Sequence, residues 1–396
     1  MLHGCLQKRS DAGMNAHNPW DLKQMQSLPL EAKIQMTKER IEAWYQSWTR
    51  FEIYDKETGK TRFNTIDTRN YLAEPKMKDS EYIVSAYPGS VYVSFSGGKD
   101  STVLKHIVDS MYDDVPSLFV NTGLEYPEIQ RFAMSQKNVV TVRPEMRFDE
   151  VIKKWGYPVI SKNVAEKIYY AQKGTEYGAK AMRGEDKNGN PSEWRKQLIK
   201  YAPLVDSGIP ISHYCCRIMK KTPAKHYEKA TGRMAIIGTL AEESALRKQA
   251  WVRNGCNAFE AQRPTSQPMS FWTEQNVLHY IKKYDVPYCS VYGDIQIKPH
   301  GEDVLEGQID VIDFLGCYEP EDTLETTGCD RTGCIFCMFG CHLEKEPNRF
   351  QRLKQTHPRQ YDYCINGGEM VDGKWQPSKE GLGLGKVLDY IGVKYD

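Results

Sequence analysis

The sequence predicts an α/β protein: a mostly parallel sheet with helices on its faces, a helical N-terminal extension and a cysteine-rich C-terminal region. Three observations predict the sheet. Strand and helix patterns alternate from Ser90 to Val142, a glycine-rich turn joins the first strand to its helix, and a further strand pattern recurs at Met234-Ala235-Ile236-Ile237-Gly238. Alternation at this spacing favours parallel pairing, because each helix carries the chain back for another strand in the same direction.

The elements follow in order. Glu31 to Thr49 reads as an amphipathic helix with Ile34, Ile41, Trp44 and Trp48 on or near one face. It belongs to an extension over residues 1–84 that packs on the main domain, or, as the sharper alternative, docks a partner. The α/β domain spans 85–290. In it, Val91-Tyr92-Val93-Ser94-Phe95 is a strand, Thr102 to Met111 a helix, and Ser117-Leu118-Phe119-Val120 a strand. Glu125 to Ser135 is helical and Val139-Val140-Thr141-Val142 is a third strand. Gly184 to Pro191 is a polar loop and residues 295 to 328 are irregular. Helical character resumes from Pro347 to Tyr361, within a cysteine-rich region over 291–396.

Composition bounds the rest. With 396 residues and 40% hydrophobic content the chain can bury a sizeable core. A formal charge of +1 gives no bulk attraction to nucleic acid or acidic partners. No apolar run is long enough for a membrane span, and the N-terminus lacks the apolar core of a secretory signal. Leu2-His3-Gly4-Cys5 looks like a lipoprotein cleavage site only superficially, since no hydrophobic segment precedes it, and Met14 offers an alternative start. The expected compartment is the cytoplasm. There, eleven cysteines point to metal or catalysis rather than disulfides.

The turn after the first strand is Ser96-Gly97-Gly98-Lys99-Asp100-Ser101. Its glycines let the backbone approach an anion, and the amides opening the next helix point at that anion. Ser96 and Ser101 add hydroxyls, Lys99 adds charge, and Asp100 can hold a magnesium ion bridging phosphates. The spacing is neither that of a Walker loop nor that of the dinucleotide fingerprint.

These six residues resemble the PP-loop of the ATP pyrophosphatase, or adenine nucleotide α-hydrolase, superfamily. The resemblance implies a doubly wound, Rossmann-like α/β sheet. It also implies ATP cleavage between the α and β phosphates, leaving AMP on an acceptor, with Lys99 and Asp100 catalytic. Phe119-Val120-Asn121-Thr122-Gly123-Leu124-Glu125 resembles the second strand and turn of the branch holding the phosphoadenosine phosphosulfate (PAPS) reductases and the ATP sulfurylase small subunit. There, Asn121, Thr122 and Gly123 would lie near the adenosine; read as residues alone, they form a helix-capping turn. Gly238-Thr239-Leu240-Ala241-Glu242-Glu243-Ser244 with Arg247 resembles the family's Gly-x-Arg-x-x-Glu-Ser stretch, and would place Glu243 and Arg247 at the nucleotide. Leu240 stands where an arginine is often found. Pro268 to Val277 resembles a Pro-x-x-x-Trp-Thr-x-x-Asp-Val stretch in which Asn276 replaces the aspartate. Thr273 caps a helix running to Tyr284. The resemblance covers about residues 85 to 345.

Cys215-Cys216 and the later Cys329-x4-Cys334-x2-Cys337-x3-Cys341 are the distinctive thiols. A Cys-x2-Cys turn aims two sulfurs at one metal or cluster edge. Two quartets fit: the local one, Cys329, Cys334, Cys337 and Cys341, and the split one, Cys215, Cys216, Cys334 and Cys337. Either can hold zinc or iron–sulfur. Cys-Cys-Arg-x-x-Lys with a distant Cys-x2-Cys resembles the [4Fe-4S] ligands of adenosine phosphosulfate (APS) reductases, and that implies the split quartet. Cys341, beside His342, is then a spare thiol able to act as nucleophile or carry a persulfide. The C-terminal Glu-Cys-Gly-x-His motif of assimilatory sulfonucleotide reductases is missing, and no cysteine follows Gly367.

From His213 to Arg233 there are six Lys/Arg and one acid. Arg217, Lys220 and Lys221 can balance a cluster and nucleotide phosphates, although a solvated helix face looks the same. Residues 161–200 mix nine Lys/Arg with Tyr169, Tyr170, Tyr177 and Trp194, as a single-strand nucleic-acid surface does. The leading expectation is an ATP-dependent sulfur-transfer enzyme. The resemblance adds a cysteine desulfurase or other sulfur donor and a nucleic-acid acceptor. An APS or PAPS reductase releasing sulfite, and a non-enzymatic binding subunit of a larger complex, are the other two classes. Oligomeric state is not legible.

Overall fold

The computed structural model describes residues 17–69, 75–298 and 322–396. The readings at Leu2–Cys5 and Met14, and most of 295–328, lie outside the described residues. Two compact units interleave along the chain. The first takes residues 1–119, 131–140 and 227–331; the second takes 120–130, 141–226 and 332–396. The units therefore do not follow sequential boundaries at 84 and 290. The chain revisits each unit, because later strands return to pair with earlier ones.

The first unit is built on a six-stranded sheet. Its strand order is Val139–Val142, Ser117–Val120, Val91–Phe95, Met234–Ile237, Thr265–Ser266 and Asn257–Ala258. Val91–Phe95 runs parallel to both of its neighbours, Met234–Ile237 runs parallel to Thr265–Ser266, and Asn257–Ala258 is antiparallel to Thr265–Ser266. Val91, Val93 and Phe95 are buried, and so is Tyr92 on the other face. A strand covered on both sides needs this near-continuous apolar run. The α/β expectation is met.

The Leu30–Gln46 helix lays Leu30, Ile34, Ile41 and Trp44 on the core, at helical spacing. Trp44 meets Trp48 edge-on, with ring centroids 5.1 Å apart. The extension is not helical throughout, however. Trp48–Asp55, Lys60–Asp67 and Glu81–Pro88 form a three-stranded antiparallel sheet with Trp48–Asp55 in the middle. These strands are mostly half-buried or exposed. Their polar residues break the apolar pattern by which a buried strand is recognised. The 295–328 stretch is likewise less irregular than expected, since Ile295–Ile297 pairs antiparallel with Leu324–Thr326.

Thr273 caps the Glu274–Lys283 helix as expected, and Asn276 completes a capping box with it. Asn276 Oδ1 accepts from the Thr273 amide at 2.9 Å and from Lys33 Nζ at 2.7 Å. Lys33 is fully buried on the Leu30–Gln46 helix and also reaches the Gln26 carbonyl at 2.6 Å. The asparagine thus anchors one helix start and a buried cation on another helix.

In the second unit the short strands Val159–Ile160 and Met338–Phe339 pair in parallel, and Gly340 N donates to the Ile160 carbonyl at 2.9 Å. Val151, Ile168, Leu198, Met338, Phe350 and Leu388 are among its buried side chains. The helical stretch expected from Pro347 to Tyr361 is two helices, Arg349–Thr356 and Pro358–Ile365. Pro358 can open a helix but cannot continue one. No helix among the described residues is long and apolar enough to cross a membrane.

Replacing Asn276 with alanine removes one hydrogen-bond acceptor of the buried Lys33 ammonium and the capping box with Thr273, and should cost about 2 kcal/mol of stability. Asn276→Asp, which keeps an acceptor, should cost less than about 1 kcal/mol. Urea unfolding monitored by tryptophan fluorescence checks both; an alanine variant as stable as the parent would contradict the anchoring role.

Candidate functional site

The glycine-rich loop lies in the first unit, between the buried Val91–Phe95 strand and the Lys99–Asp109 helix. Gly97 has φ +73°, a conformation open to glycine at little cost. Gly98 is the N-cap and has no side chain to cap the helix; the Tyr292 hydroxyl takes the Lys99 amide at 3.1 Å instead. The loop braces itself. Ser96 and Ser101 hydroxyls lie 3.0 Å apart, Gly98 N donates to Ser96 Oγ at 3.3 Å, and Ser101 Oγ donates to the Gly98 carbonyl at 2.9 Å. Gly238 sits against the same turn. A Cβ there would stand 3.1 Å from the Asp100 carbonyl and 3.2 Å from Ser101 Cα.

Charge is concentrated around this helix start. Lys99 is buried; its Nζ pairs with Glu274 at 2.7 Å and donates to the Asp330 carbonyl, and its amide donates to the Tyr292 hydroxyl at 3.1 Å. Glu243 holds both Arg247 and Arg331, the latter at 3.1 Å. Asp100 Oδ1 is buried without a hydrogen-bond partner. Burial pushes the Asp100 carboxyl up, while Lys99, Arg331 and Arg247 pull it back down. Glu274, Arg331 and Tyr292 were not singled out in the sequence. They come from distant segments and share no motif with the loop.

The second unit gathers the thiols of the split quartet. Cys215 hydrogen-bonds Cys216 and feels the charge of Cys334 and Cys337. That hydrogen bond, then burial, drives the Cys215 thiol up. The same bond, with Lys162, Lys220 and Lys221, pulls Cys216 down to about 6. Burial pushes Cys334 up to about 11 and raises Cys337 as well. Cys337 N donates to the Cys334 carbonyl at 3.1 Å, which closes the Cys-x2-Cys turn. Lys220 stays charged despite its burial, held by Cys334, Glu125 and Cys216. It belongs to a π-helical turn, Arg217–Lys221, that follows the cysteine pair.

Glu125 also organises the Asn121-Thr122-Gly123 turn. It accepts from Thr122 N at 3.1 Å and Thr122 Oγ1 at 2.7 Å, while Gly123 N donates to Asn121 Oδ1 at 3.2 Å. Ile335 N, inside the Cys-x2-Cys turn, donates to the Leu124 carbonyl at 2.8 Å. Asn121–Gly123, Glu125, Lys220 and the four thiols thus belong to one unit. Of the local quartet, Cys329 falls in the first unit and the other three in the second. Among the described residues, no group of three or more His, Cys, Asp or Glu side chains is arranged to hold a metal ion.

Cys341 is buried and donates to the Met338 carbonyl at 3.1 Å; burial pushes its thiol up to about 12. Both ring nitrogens of His342 are buried without a hydrogen-bond partner, and burial lowers its basicity. Arg217 is not among the chief cations acting on the thiols and lies 5.7 Å from the Tyr214 ring centroid. Tyr169, Tyr170, Tyr177, His213 and Tyr214 do cluster, but mainly edge to face against one another. No disulfide joins the described cysteines.

Residues 90–159 and 138–338 match the phosphoadenosine phosphosulfate reductase domain, well over half of the chain. The chain belongs to the PAPS reductase family. An uncharacterised protein of Methanocaldococcus jannaschii is 33% identical over 73 residues, 17% of this chain and 18% of that protein. A phosphoadenosine 5'-phosphosulfate reductase of Alkalilimnicola ehrlichii is 23% identical over 207 residues, 52% of this chain and 66% of that one. The chain thus spans less than two thirds of either relative's length. A solved PAPS reductase from Candida auris, in a phosphate complex, shares 16% identity at a TM-score of 0.28, over 52% of this chain and 76% of that one. The family's matched span includes the loop, the Asn121–Gly123 turn and both cysteine pairs; Cys341 lies beyond it.

In metal-free protein, iodoacetamide should label Cys216 well before Cys341 or the fully buried Cys364, both of which react only once denaturant is added. Peptide mass spectrometry over a labelling time course reads the order. Equal rates at Cys341 and Cys216 would contradict the described burial.

Proposed function

We propose that the chain binds ATP with magnesium at Ser96–Ser101 and cleaves it between the α and β phosphates, passing the adenylyl group to an acceptor that then receives sulfur. The observation that carries this reading is Asp100 Oδ1, buried and without a hydrogen-bond partner in the first turn of the helix that follows the glycine-rich loop. A carboxylate oxygen in that position suits a cation arriving with a polyphosphate, since magnesium is commonly held by one or two carboxylates plus phosphate oxygens. Family membership supports an enzyme of the sulfonucleotide and PP-loop class.

The residues take these roles. Lys99 and the amides of the first helical turn meet the phosphate charge, and Asp100 holds magnesium. Glu243 positions Arg247 and Arg331. An acceptor oxygen bonds to the α phosphorus as its bond to the pyrophosphate oxygen breaks, and pyrophosphate leaves with magnesium. The terminal sulfur of a persulfide then attacks the activated acceptor and displaces AMP, and an external thiol reductant cleaves the resulting S–S bond, leaving the sulfur on the acceptor and the carrier as a thiol.

Cys215, Cys216, Cys334 and Cys337 would hold a [4Fe-4S] cluster. Four soft thiolates fit it, as they also fit zinc, and the buried Lys220 offsets the negative charge such a group carries. A bound cluster supplies sulfur and electron chemistry that amino-acid side chains lack. Cys341, which feels the charge of Cys337, is the candidate persulfide carrier, loaded by a cysteine desulfurase or similar donor once its segment opens. A nucleic acid is the acceptor class we favour. The second reading is reduction of APS or PAPS to sulfite, favoured by the family match and the four gathered thiols.

Two measurements separate these readings. Anaerobically prepared protein should contain iron and acid-labile sulfide in equal amounts. Cys216→Ala and Cys334→Ala should lose both, while Cys329→Ala keeps them; loss in the Cys329 variant would support the local quartet instead. With ATP, magnesium, a sulfur donor and single-stranded nucleic acid, pyrophosphate should be released. Sulfite release from APS or PAPS with a thiol donor, and no pyrophosphate from ATP, would overturn the ATP reading.

A further inference from the structure

Lys99 and Glu274 form an ion pair at 2.7 Å with unequal members. The lysine side chain is 5% exposed and the glutamate side chain 46%. A buried ammonium cannot be left without an anion, whereas a half-exposed carboxylate returns to water at small cost. The backbone beneath that carboxylate is fixed: Glu274 N donates to Glu242 Oε1 at 2.6 Å, and the residue opens a capped helix. Only the side chain has freedom to swing. The cation is further confined by the Asp330 carbonyl and the Tyr292 ring, 5.3 Å from Nζ. It therefore waits in place, and its counter-ion is the part that exchanges.

We infer that Glu274 is a built-in stand-in for phosphate, occupying Lys99 until a polyphosphate displaces it. The inference rests on the reading that Ser96–Ser101 binds phosphates, and it adds a specificity-determining residue outside the loop. The carboxylate keeps the buried lysine partnered in the ligand-free chain. It also makes every anion compete for Lys99, so a weakly held monoanion is refused while a polyphosphate gathering several amides and cations succeeds. When the ligand enters, the glutamate swings out into solvent.

The test is calorimetry on the full chain, comparing wild type with Glu274→Gln, Glu274→Ala and Glu274→Asp. Each is titrated with inorganic pyrophosphate without magnesium and with magnesium-ATP. Both uncharged variants should bind both probes about fivefold tighter, the scale of one removed partly exposed ion pair, while the aspartate variant stays near wild type. Circular dichroism melts confirm folding, and the alanine variant supplies the same readout should the glutamine variant be unstable. Unchanged or weaker pyrophosphate binding by the uncharged variants would overturn the inference. Weaker magnesium-ATP binding in the uncharged variants would make Glu274 a ligand-side residue and overturn it too. If no protein, wild type included, binds either probe, the phosphate-loop reading itself falls, and that result is distinct from the others.

Discussion

Two buried lysines organise the candidate sites of this chain, because an ammonium taken out of water must be compensated by anions or by hydrogen-bond acceptors. Lys99 meets Glu274 at the start of the Lys99–Asp109 helix. Lys220 meets Cys334, Glu125 and Cys216 in the thiol pocket. Each dictates what surrounds it. Around Lys99 stand a carbonyl, a tyrosine hydroxyl and a half-exposed carboxylate; around Lys220 stand thiols and the glutamate that shapes the Asn121–Gly123 turn. A third buried lysine, Lys33, reaches the Gln26 carbonyl and Asn276 Oδ1, acceptors that belong to helices of the first unit.

The difference between these environments separates architecture from function. Asn276 and the Gln26 carbonyl cannot leave Lys33 without unfolding part of the first unit. Glu274 can leave Lys99, since its side chain is half exposed. Asp100 adds a carboxylate oxygen with no protein partner beside Lys99. Cation without a fixed anion, and anion without a fixed cation, in the same helical turn are what a charged ligand with its own metal ion would complete.

Much of this was legible in the chain itself. The apolar runs at Val91–Phe95 and Ser117–Val120 announce buried parallel strands, and the glycines between the first of these and the next helix announce the tight strand-to-helix turn at Ser96–Ser101. The Cys-x2-Cys spacing announces a turn that aims two sulfurs. Other features had no local signal. Glu274 looks like an ordinary first-turn acid on a capped helix, and Arg331 sits in a polar loop; only tertiary folding brings them to Lys99 and Glu243. The Trp48–Asp55 strand was hidden because its mostly half-buried residues mix aromatic and charged types. Arg217 shows a different limit of the local pattern: its guanidinium lies 5.7 Å from the Tyr214 ring centroid, while Lys162, Lys220 and Lys221 are the cations that act on Cys216.

A glycine-rich loop and two cysteine pairs stand in one chain of the PAPS reductase family, and the proposal of a magnesium-bound polyphosphate turns on the unpartnered carboxylate oxygen of Asp100. The most direct measurement is the magnesium dependence of ATP binding in wild type and Asp100→Asn, by calorimetry at fixed ionic strength. ATP should bind the wild type markedly tighter with magnesium than with EDTA, and the Asp100 variant should lose that difference. Equal ATP affinity with and without magnesium in the wild type, or a magnesium effect that survives in Asp100→Asn, would contradict the account.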